Sequence, residues 1–257
     1  MDLGLKGKIA LVTGAGSQVG FGKAICLLLA KEGCDIIASD IDFTGTQQTA
    51  SDVEKLGRKA LAVKCDITSK ADVEAMVKQA TDRFGRIDIL VNNAGGIVGK
   101  GGPFEIQDEI DWDKNYFLNL KGPMLVTQAV FPQMAARKYG KIINITSDTT
   151  KLAFPAVSMY TIAKAGLVVF AREVARMLAD KNINVNCVSP GWSMDTNFVK
   201  GPQEVKDNTA KRFIGETPLG RGTTTMDIAS AVAFLASDIS GDVTGQVFSV
   251  SGGSTMQ

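Results

Sequence analysis

Short apolar runs alternate with amphipathic stretches along almost the whole chain, and this alternation limits the fold more than any other feature. The runs are typical of buried strands, such as Lys8–Thr13 (KIALVT) and Asp35–Ser39 (DIIAS). The stretches have the length and spacing of helices, for example Lys23–Lys31, which precedes Gly33. Strands that are apolar on both sides need helices on both faces of a parallel sheet. The pattern therefore predicts an α/β fold.

The same alternation continues to the end of the chain. Further strands are predicted at residues 59–64, 87–92, 140–146, 183–189 and 246–250, and further helices at 44–56, 71–84, 124–137, 158–180 and 226–237. About seven strands and about six helices follow one another with no linker or repeat. They predict a single Rossmann-like domain over residues 1–257, with a doubly wound parallel sheet and helices on both faces.

Two connections are longer than the others. Residues 95–103 are rich in glycine, and residues 191–213 are mostly polar and contain Pro202. Both follow the ends of predicted strands, which is where ligands bind in open α/β sheets. Loops of this length in a single domain are usually functional. We interpret residues 191–213 as a substrate loop inserted in the domain.

The composition excludes several classes of function. The chain has no histidine, which excludes Ser-His-Asp and Cys-His catalysis and every His-ligated metal site. Its formal net charge of +1 argues against a partner that is a nucleic acid or an anionic membrane. No apolar run approaches the ~18 residues that span a bilayer. The cysteines lack metal or disulfide spacing, so we expect no metal, and a reducing cytoplasmic location.

A glycine-rich segment, Thr13 to Gly22 (TGAGSQVGFG), joins the first strand to the first helix. Glycines let the backbone approach a pyrophosphate, and the helix N-terminus offers free N–H groups and a positive dipole end. Such a motif alone is weak, but its place between a strand and a helix strengthens it, although a flexible turn remains the alternative. We predict dinucleotide contacts from Gly14, Ser17, Gln18, Gly20 and Phe21.

Asp40 closes the second predicted strand, 18 residues after Gly22. An acid near this position hydrogen-bonds the adenosine ribose in dinucleotide-binding domains. A carboxylate there repels a 2′-phosphate, and no Lys or Arg stands beside Asp40. We therefore predict NAD rather than NADP as the cofactor, with contacts from Asp40 and Ile41. The alternative is a solvated carboxylate at a strand end.

Tyr160 and Lys164 stand four residues apart at the start of a predicted helix, so they share one helix face. A phenol with an unperturbed pKa of ~10 is a poor base, and a neighbouring ammonium favours the phenolate and lowers that pKa. The pair would then act as a general acid/base without histidine. The spacing alone is common on helices. Ser147, which lies at a strand end 13 residues before Tyr160, strengthens the hypothesis.

These residues, in this order, resemble the short-chain dehydrogenase/reductase family, and the resemblance covers essentially the whole chain. The matching features are Thr13-Gly14, Asp66-Ile67, Asn92-Asn93-Ala94-Gly95, Asn119, Ser147, Tyr160-x-x-x-Lys164 and Pro190-Gly191. The resemblance implies that Tyr160 is the acid/base and that Lys164 tunes it and binds the nicotinamide ribose. It also implies that Ser147 holds the substrate oxygen and that Asn119 orders a proton-relaying water.

The resemblance implies further cofactor contacts. Asp66 and Ile67 would flank the adenine, while Asn93, Ala94 and Gly95 would line the cofactor site. Pro190 and Gly191 would lie at the nicotinamide, with Ser193, Met194 or Thr196 at its carboxamide. The segment 245–253 resembles the last strand and tail of the family, which commonly pack in homotetramers.

The sequence departs from the family pattern in its phosphate loop, which is two residues longer than usual. The enoyl-thioester reductase branch also has an extended loop, but six residues separate its Tyr and Lys, whereas three separate Tyr160 and Lys164. We therefore expect an NAD-dependent enzyme that interconverts a secondary alcohol and a ketone. The small-molecule substrate would be a cyclic alcohol, a hydroxyacyl thioester or a polyol. Enoyl-thioester reduction and non-catalytic dinucleotide sensing are the alternatives.

The substrate pocket is expected to combine polar and aromatic residues. Its predicted walls are Asp148, Thr149, Lys151, Phe154, the loop 96–102, Trp192 and the segment 194–198.

Overall fold

A parallel sheet of seven strands carries the fold. The computed structural model describes residues 2–100, 102–152, 157–193, 195–196 and 203–256. Its strands are β1 (Ile9–Thr13), β2 (Asp35–Asp40), β3 (Ala60–Lys64), β4 (Ile89–Asn92), β5 (Gly140–Ile145), β6 (Ile183–Pro190) and β7 (Val247–Val250). They are ordered β3-β2-β1-β4-β5-β6-β7, and every neighbouring pair is parallel. The predicted doubly wound sheet is confirmed.

Helices cover both faces of the sheet. Those described are α1 (Phe21–Lys31), α2 (Phe43–Lys55), α3 (Lys70–Phe84), α4 (Glu109–Tyr116), α5 (Gly122–Arg137), α6 (Thr149–Leu152), α7 (Ser158–Leu178), α8 (Gln203–Gly215) and α9 (Thr225–Ala236). One core contains α1, α9 and Val53 of α2, and the other contains α3, α5 and α7. None of the described helices is long and apolar enough to cross a membrane.

Successive residues of the central strands point into opposite cores. In β1, Ala10 and Val12 pack under α1 and α9, whereas Ile9 and Leu11 pack under α3, α5 and α7. Because side chains alternate across a strand, a strand covered on both faces must be apolar throughout. This is the physical origin of the continuous apolar runs in the sequence.

Three helices were not expected from the sequence. The segment of α4, EIDWDKNY, is polar and gives little apolar periodicity, yet it begins at a capping box formed by Asp108 and Asp111. The short helix α6 follows β5. The helix α8 occupies part of the segment 191–213, which we had interpreted as a substrate loop inserted in the domain. Its Phe213 ring stacks on Trp192 at a centroid distance of 4.3 Å. Met194 and residues 197–202 lie outside the described part of the chain, as does Phe154.

The strand order reverses between β1 and β4, where the chain leaves one half of the sheet and begins the other. Helices diverge from such a switch point, so a crevice opens outside the carboxyl ends of the strands. The residues predicted to bind the cofactor follow these strand ends, after β1, β2, β3, β4, β5 and β6. The topology therefore gathers them along one edge of the sheet.

Candidate active site

The phosphate loop after β1 is held by the segment that follows β4. The Asn93 amide donates to the carbonyl oxygens of Thr13 at 2.8 Å and Gly14 at 3.0 Å. In return, the Thr13 hydroxyl accepts from the main-chain N–H groups of Asn93 and Ala94, at 3.1 Å each. Gly14 has φ +70°, and a Cβ there would lie 2.7 Å from the Ala94 Cα. The predicted cofactor residues Asn93 and Ala94 therefore shape the loop itself.

The N-terminus of α1 has the properties of a pyrophosphate site. Its N-cap, Gly20, is extended, and no side chain caps the helix. The first N–H groups of a helix lack intrahelical partners and carry the positive end of the dipole, so they fit an anion. Gly22 allows the helix to start this close to β1, since a Cβ on it would overlap the Gly14 carbonyl oxygen. These features fit the dinucleotide expected here.

The longer loop is braced by Gln18. Its Nε2 donates to the carbonyl oxygens of Gly16 and Gly45, at 2.9 Å each, while its Oε1 accepts from Lys23 at 2.6 Å. The Ser17 hydroxyl donates to the Val19 carbonyl at 3.1 Å. Both side chains thus bind protein groups. We had assigned Ser17 and Gln18 to the cofactor, and these assignments stay predictions.

Asp40 is fixed at the end of β2. Its Oδ2 accepts from Gly16 N at 2.8 Å, and its Oδ1 accepts from Asp42 N at 3.0 Å. Each carboxylate oxygen has a further lone pair, so the group can still accept from ribose hydroxyls. The neighbouring Ile41 side chain is 66% exposed and can cover an adenine ring.

The side chains of Asp66 and Ile67, which lie shortly after β3, differ in their exposure. The Asp66 side chain is exposed and accepts from the Thr68 main chain at 2.9 Å and hydroxyl at 2.8 Å. The Ile67 side chain is only 4% exposed and packs against Gly122, where a Cβ would lie 2.7 Å from its Cδ1. Our expectation that Ile67 flanks the adenine therefore needs correction. Its side chain belongs to the core, which leaves only its main chain at the rim.

Ser147, Tyr160 and Lys164 come together beside the carboxyl end of β5. Ser147 follows that strand, and the other two lie in the first turns of α7, where they are buried. A side-chain hydrogen bond joins Ser147 to Tyr160. The Lys164 ammonium donates to the Ile145 carbonyl at 2.8 Å and lies 5.8 Å from the centre of the Tyr160 ring. The structure thus assembles the constellation expected from the sequence.

Burial controls the titration of this pair. It raises the pKa of Tyr160 to about 12, against a smaller lowering by the Ser147 hydrogen bond. It also lowers the pKa of Lys164 to about 8. We expected the ammonium of Lys164 to lower the pKa of the phenol. In the chain by itself, desolvation outweighs any such effect, because removing a charged form from water is costly.

Asn119 lies in a π-helical turn, Phe117–Lys121, between α4 and α5. Its Oδ1 accepts from Gly96 N and its Nδ2 donates to Gly96 O, both at 2.9 Å. A Cβ on Gly95 would lie 2.8 Å from Asn119 Oδ1 and 2.9 Å from Lys164 Nζ, so Gly95 adjoins both groups. The amide is thus used within the protein, and the ordering of a relay water by Asn119 stays a prediction.

Two further polar side chains on α4 extend this pattern, and the sequence analysis missed them. With Asn119 they are spaced i, i+4 and i+8, and they bind every second residue of the loop 96–100. Asn115 Nδ2 donates to Val98 O at 2.7 Å, and Asp111 Oδ1 accepts from Lys100 N at 3.0 Å. Their spacing in DWDKNYFLN was the available signal, but it has no meaning until that segment is known to be helical.

Asp148 does not line the substrate pocket as expected. It is 2% exposed and turns toward the C-terminal strand and tail, where it accepts from Ser249 at 3.1 Å and from Thr255. Lys151 also donates to Ser249. Our assignment of Asp148 to the pocket wall was therefore wrong. Its N–H binds the Pro190 carbonyl at 3.0 Å and so ties the Ser147 turn to β6.

The segment after β6 is fixed by its main chain. Gly191 N donates to Val250 O at 2.9 Å, and the Trp192 carbonyl accepts from Thr223 N at 2.8 Å. The Ser193 hydroxyl donates to Asp195 at 2.9 Å, and this carboxylate also accepts from Thr225 at the start of α9. The contact between Ser193 and the nicotinamide carboxamide stays a prediction.

Comparison with known proteins agrees with this geometry. A family model described as Enoyl-(Acyl carrier protein) reductase matches residues 14–255. A 3-oxoacyl-[acyl-carrier-protein] reductase of Thermotoga maritima is 36% identical over 97% of this chain and 98% of its own. A short-chain type dehydrogenase/reductase from Mycobacterium marinum superimposes with a TM-score of 0.91, with 29% identity, over 100% of this chain and 98% of its own. The chain belongs to the short-chain dehydrogenase/reductase family.

Two further relatives show the range of this family. The (2S)-[(R)-hydroxy(phenyl)methyl]succinyl-CoA dehydrogenase subunit BbsD of Thauera aromatica is 39% identical over 99% of both chains. The 7alpha-hydroxysteroid dehydrogenase of Escherichia coli K12 is 34% identical over 100% of this chain and 97% of its own. The protein is thus similar to oxidoreductases along its whole length. Members of this family generally use a nicotinamide cofactor, NAD or NADP.

The packing of α1 on the glycine loop gives a test of the cofactor site. We expect Gly22→Ala to weaken NADH binding at least ~10-fold and to lower the melting temperature, because the new methyl group must displace backbone. Gly215→Ala is the control, since no atom lies within 4 Å of its Cβ position. Fluorescence titration with NADH and thermal melts of both variants measure the difference. Unchanged NADH affinity in Gly22→Ala would show that the helix start does not bind the cofactor.

Proposed function

We propose that the protein is an NAD-dependent oxidoreductase that interconverts a secondary alcohol and a ketone. The observation that carries this proposal is the contact between Ser147 and Tyr160 beside the buried Lys164. A phenol that is hydrogen-bonded to a hydroxyl, with an amine on the same helix face, is a proton-transfer group suited to a hydroxyl or carbonyl oxygen.

The residues of this chain would handle the proton, while the bound nicotinamide would supply the hydride acceptor or donor. A proton passes between the phenol oxygen of Tyr160 and the substrate oxygen. The single hydroxyl proton of Ser147 is donated in a hydrogen bond to the substrate oxygen. Lys164 places a positive charge near the phenol when protonated and so favours the phenolate. Burial limits the access of water to all three groups.

The names of the relatives favour one substrate class. Two relatives are named for acyl groups on CoA or on an acyl carrier protein, and one for a hydroxysteroid. We therefore propose a hydroxyacyl thioester as the substrate, with a cyclic alcohol as the second candidate. A polyol has no support among these names.

Enoyl-thioester reduction is the second candidate activity. The description of the family model and the longer phosphate loop favour it. The three-residue separation of Tyr160 and Lys164 argues against it, because six residues separate the Tyr and Lys of the enoyl-thioester reductase branch. A non-catalytic dinucleotide sensor would have no need for Asn119, Ser147, Tyr160 and Lys164 as a group.

For the cofactor we propose NAD. Asp40 lies at the end of β2 with its carboxylate fixed by Gly16 and Asp42. A 2′-phosphate placed on the adenosine ribose would face this negative charge, and a carboxylate can instead accept from the ribose hydroxyls. Neither Ile41 nor Asp42 offers a positive charge to offset the repulsion.

We further propose a homotetramer, built on two apolar faces. One face lies along the π-helical turn, α5 and α7, with a groove of about 410 Å³ beside exposed Met124 and Met177. The other lies at α9 and β7 and includes exposed Met226 and the contacting rings of Phe234 and Phe248. Two different faces, each paired with its own copy, generate a tetramer with closed symmetry.

We propose that the protein is located in the cytoplasm. Its four cysteines are buried and free, and thiols stay reduced in that compartment.

The activity is tested with a panel of secondary alcohols, including hydroxyacyl thioesters and hydroxysteroids, read by NADH absorbance. Tyr160→Phe keeps the ring and removes the hydroxyl. We expect it to lower kcat at least ~10²-fold, the lower range for a general acid/base, while NADH still binds. A kcat near that of the wild type in this variant would overturn the role of Tyr160. Reduction of an activated alkene with no turnover of any ketone would instead support the enoyl reductase.

The cofactor preference is tested by substitution of Asp40. We expect the wild type to have a higher kcat/KM with NAD⁺ than with NADP⁺. Asp40→Ala should lower the ratio of these two kcat/KM values by about 10-fold or more, because it removes one charge repulsion of roughly 1.4 kcal/mol. Asp42→Ala is the matched control, since this neighbouring acid caps α2. Equal or better use of NADP⁺ by the wild type would contradict the assignment.

The assembly is tested by light scattering on the purified protein. We expect about four times the 27.2 kDa of one chain. A Val169→Glu variant, which places a charge on the α7 face, should give a smaller particle with unchanged helix content. A wild-type mass of one chain would exclude the tetramer.

A further inference from the structure

Thr149 makes two contacts with the hydroxyl group of Ser147. Its Oγ1 donates to Ser147 Oγ at 3.1 Å, and its main-chain N–H reaches the same oxygen at 3.3 Å. Thr149 is the first residue of α6, so the turn that begins this short helix places both donors behind the serine.

A serine hydroxyl has one proton to donate and two lone pairs that accept. Thr149 fills both accepting positions of Ser147, while Tyr160 lies within hydrogen-bond reach of the same hydroxyl. The only hydrogen bond that Ser147 can still offer toward the cleft is therefore a donated one. A ketone oxygen and a phenolate both accept, so this orientation suits them.

Resting on the function proposed above, we propose that Thr149 is a positioning residue that locks the Ser147 hydroxyl as a donor, toward Tyr160 in the absence of substrate and toward the substrate oxygen when substrate is bound. Two hydrogen bonds in series, from Thr149 to Ser147 and from Ser147 to Tyr160, strengthen each other, since each donor polarises the next. Loss of the first one frees the serine to rotate and weakens the second.

The charged groups around Tyr160 do not depend on Thr149. Lys164 lies on the same helix as Tyr160 and donates to Ile145, and Cys187 of β6 faces Lys164. From the turn after β5, Asp148 points toward Ser249 and Thr255, and Lys151 also donates to Ser249. A substitution of the Thr149 hydroxyl therefore changes the hydrogen bonds to Tyr160 without moving a charge.

The test compares Thr149→Val, which has nearly the same shape but no hydroxyl, with Thr149→Ser, which keeps the hydroxyl. We measure the ionisation midpoint of Tyr160 in the NAD⁺-bound protein, from the near-ultraviolet absorbance of tyrosinate after subtraction of a Tyr160→Phe spectrum. Thr149→Val should raise this midpoint by about half a pH unit, since a direct hydrogen bond to an ionised group is worth roughly one unit. Thr149→Ser should restore it.

Turnover gives a second readout. We expect kcat for alcohol oxidation to fall about 10-fold in Thr149→Val, as for one lost hydrogen bond, with the pH profile moved upward and KM little changed. The ionisation midpoint of Tyr160 is measured without substrate, so it tests the role of Thr149 even if no alcohol in the panel is oxidised. A panel in which no alcohol is oxidised would count against the proposed function and not against the role of Thr149.

Thr150→Val is the matched control. Thr150 lies in the same turn and donates to the Ser147 carbonyl at 2.8 Å, but it does not touch the serine hydroxyl. We expect the ionisation midpoint of Tyr160 in the Thr150→Val variant to equal that in the wild type. An unchanged midpoint in Thr149→Val, or an equal shift in Thr150→Val, would overturn the proposal. The Thr149 hydroxyl would then not be the group that determines the pKa of the Tyr160 phenol.

Discussion

The hydrogen bonds between Asn93 and the end of β1 join the two halves of the sheet where the site must form. They fix the carbonyl groups of Thr13 and Gly14, which sets where the glycine loop leaves the sheet. The start of α1 follows from this, since Gly22 packs against the Gly14 carbonyl. A small shift at Asn93 would move the helix N-terminus at which we propose that the pyrophosphate binds. The cofactor site therefore depends on a contact that is itself structural.

Burial is the second constraint, and it acts against the charged forms of the groups that we propose transfer the proton. Tyr160 and Lys164 are almost wholly buried, so each is shifted toward its neutral form. The chain offsets this with hydrogen bonds, from Ser147 to the phenol and from Lys164 to the Ile145 carbonyl. Perturbed groups of this kind cluster at functional sites because a proton-transfer group must be able to change charge.

The glycine-rich loop after β4 shows how an irregular segment is made rigid. Within the described part of the chain, the loop has no neighbouring strand to bond its main chain. Its main-chain groups instead bind the side chains of Asp111, Asn115 and Asn119. The π-helical turn brings Asn119 onto the same line as the other two. Such turns are rare and are found mostly at functional sites. Here the turn places the Asn119 side chain between the loop and Lys164.

The sequence by itself determined the class of fold and the edge of the sheet at which the predicted site residues gather. Continuous apolar strands permit only a sheet that is covered on both faces, and parallel strands bring their carboxyl ends to one edge. Only the tertiary structure decided the use of individual side chains. Gln18, Ile67 and Asp148 point into the protein because of partners that are distant in the chain, at Gly45, Gly122 and Thr255. The helix α4 escaped prediction because its apolar residues are few. Local periodicity reports which residues are buried along an element, whereas the direction of a polar side chain depends on partners that only the folded chain brings near.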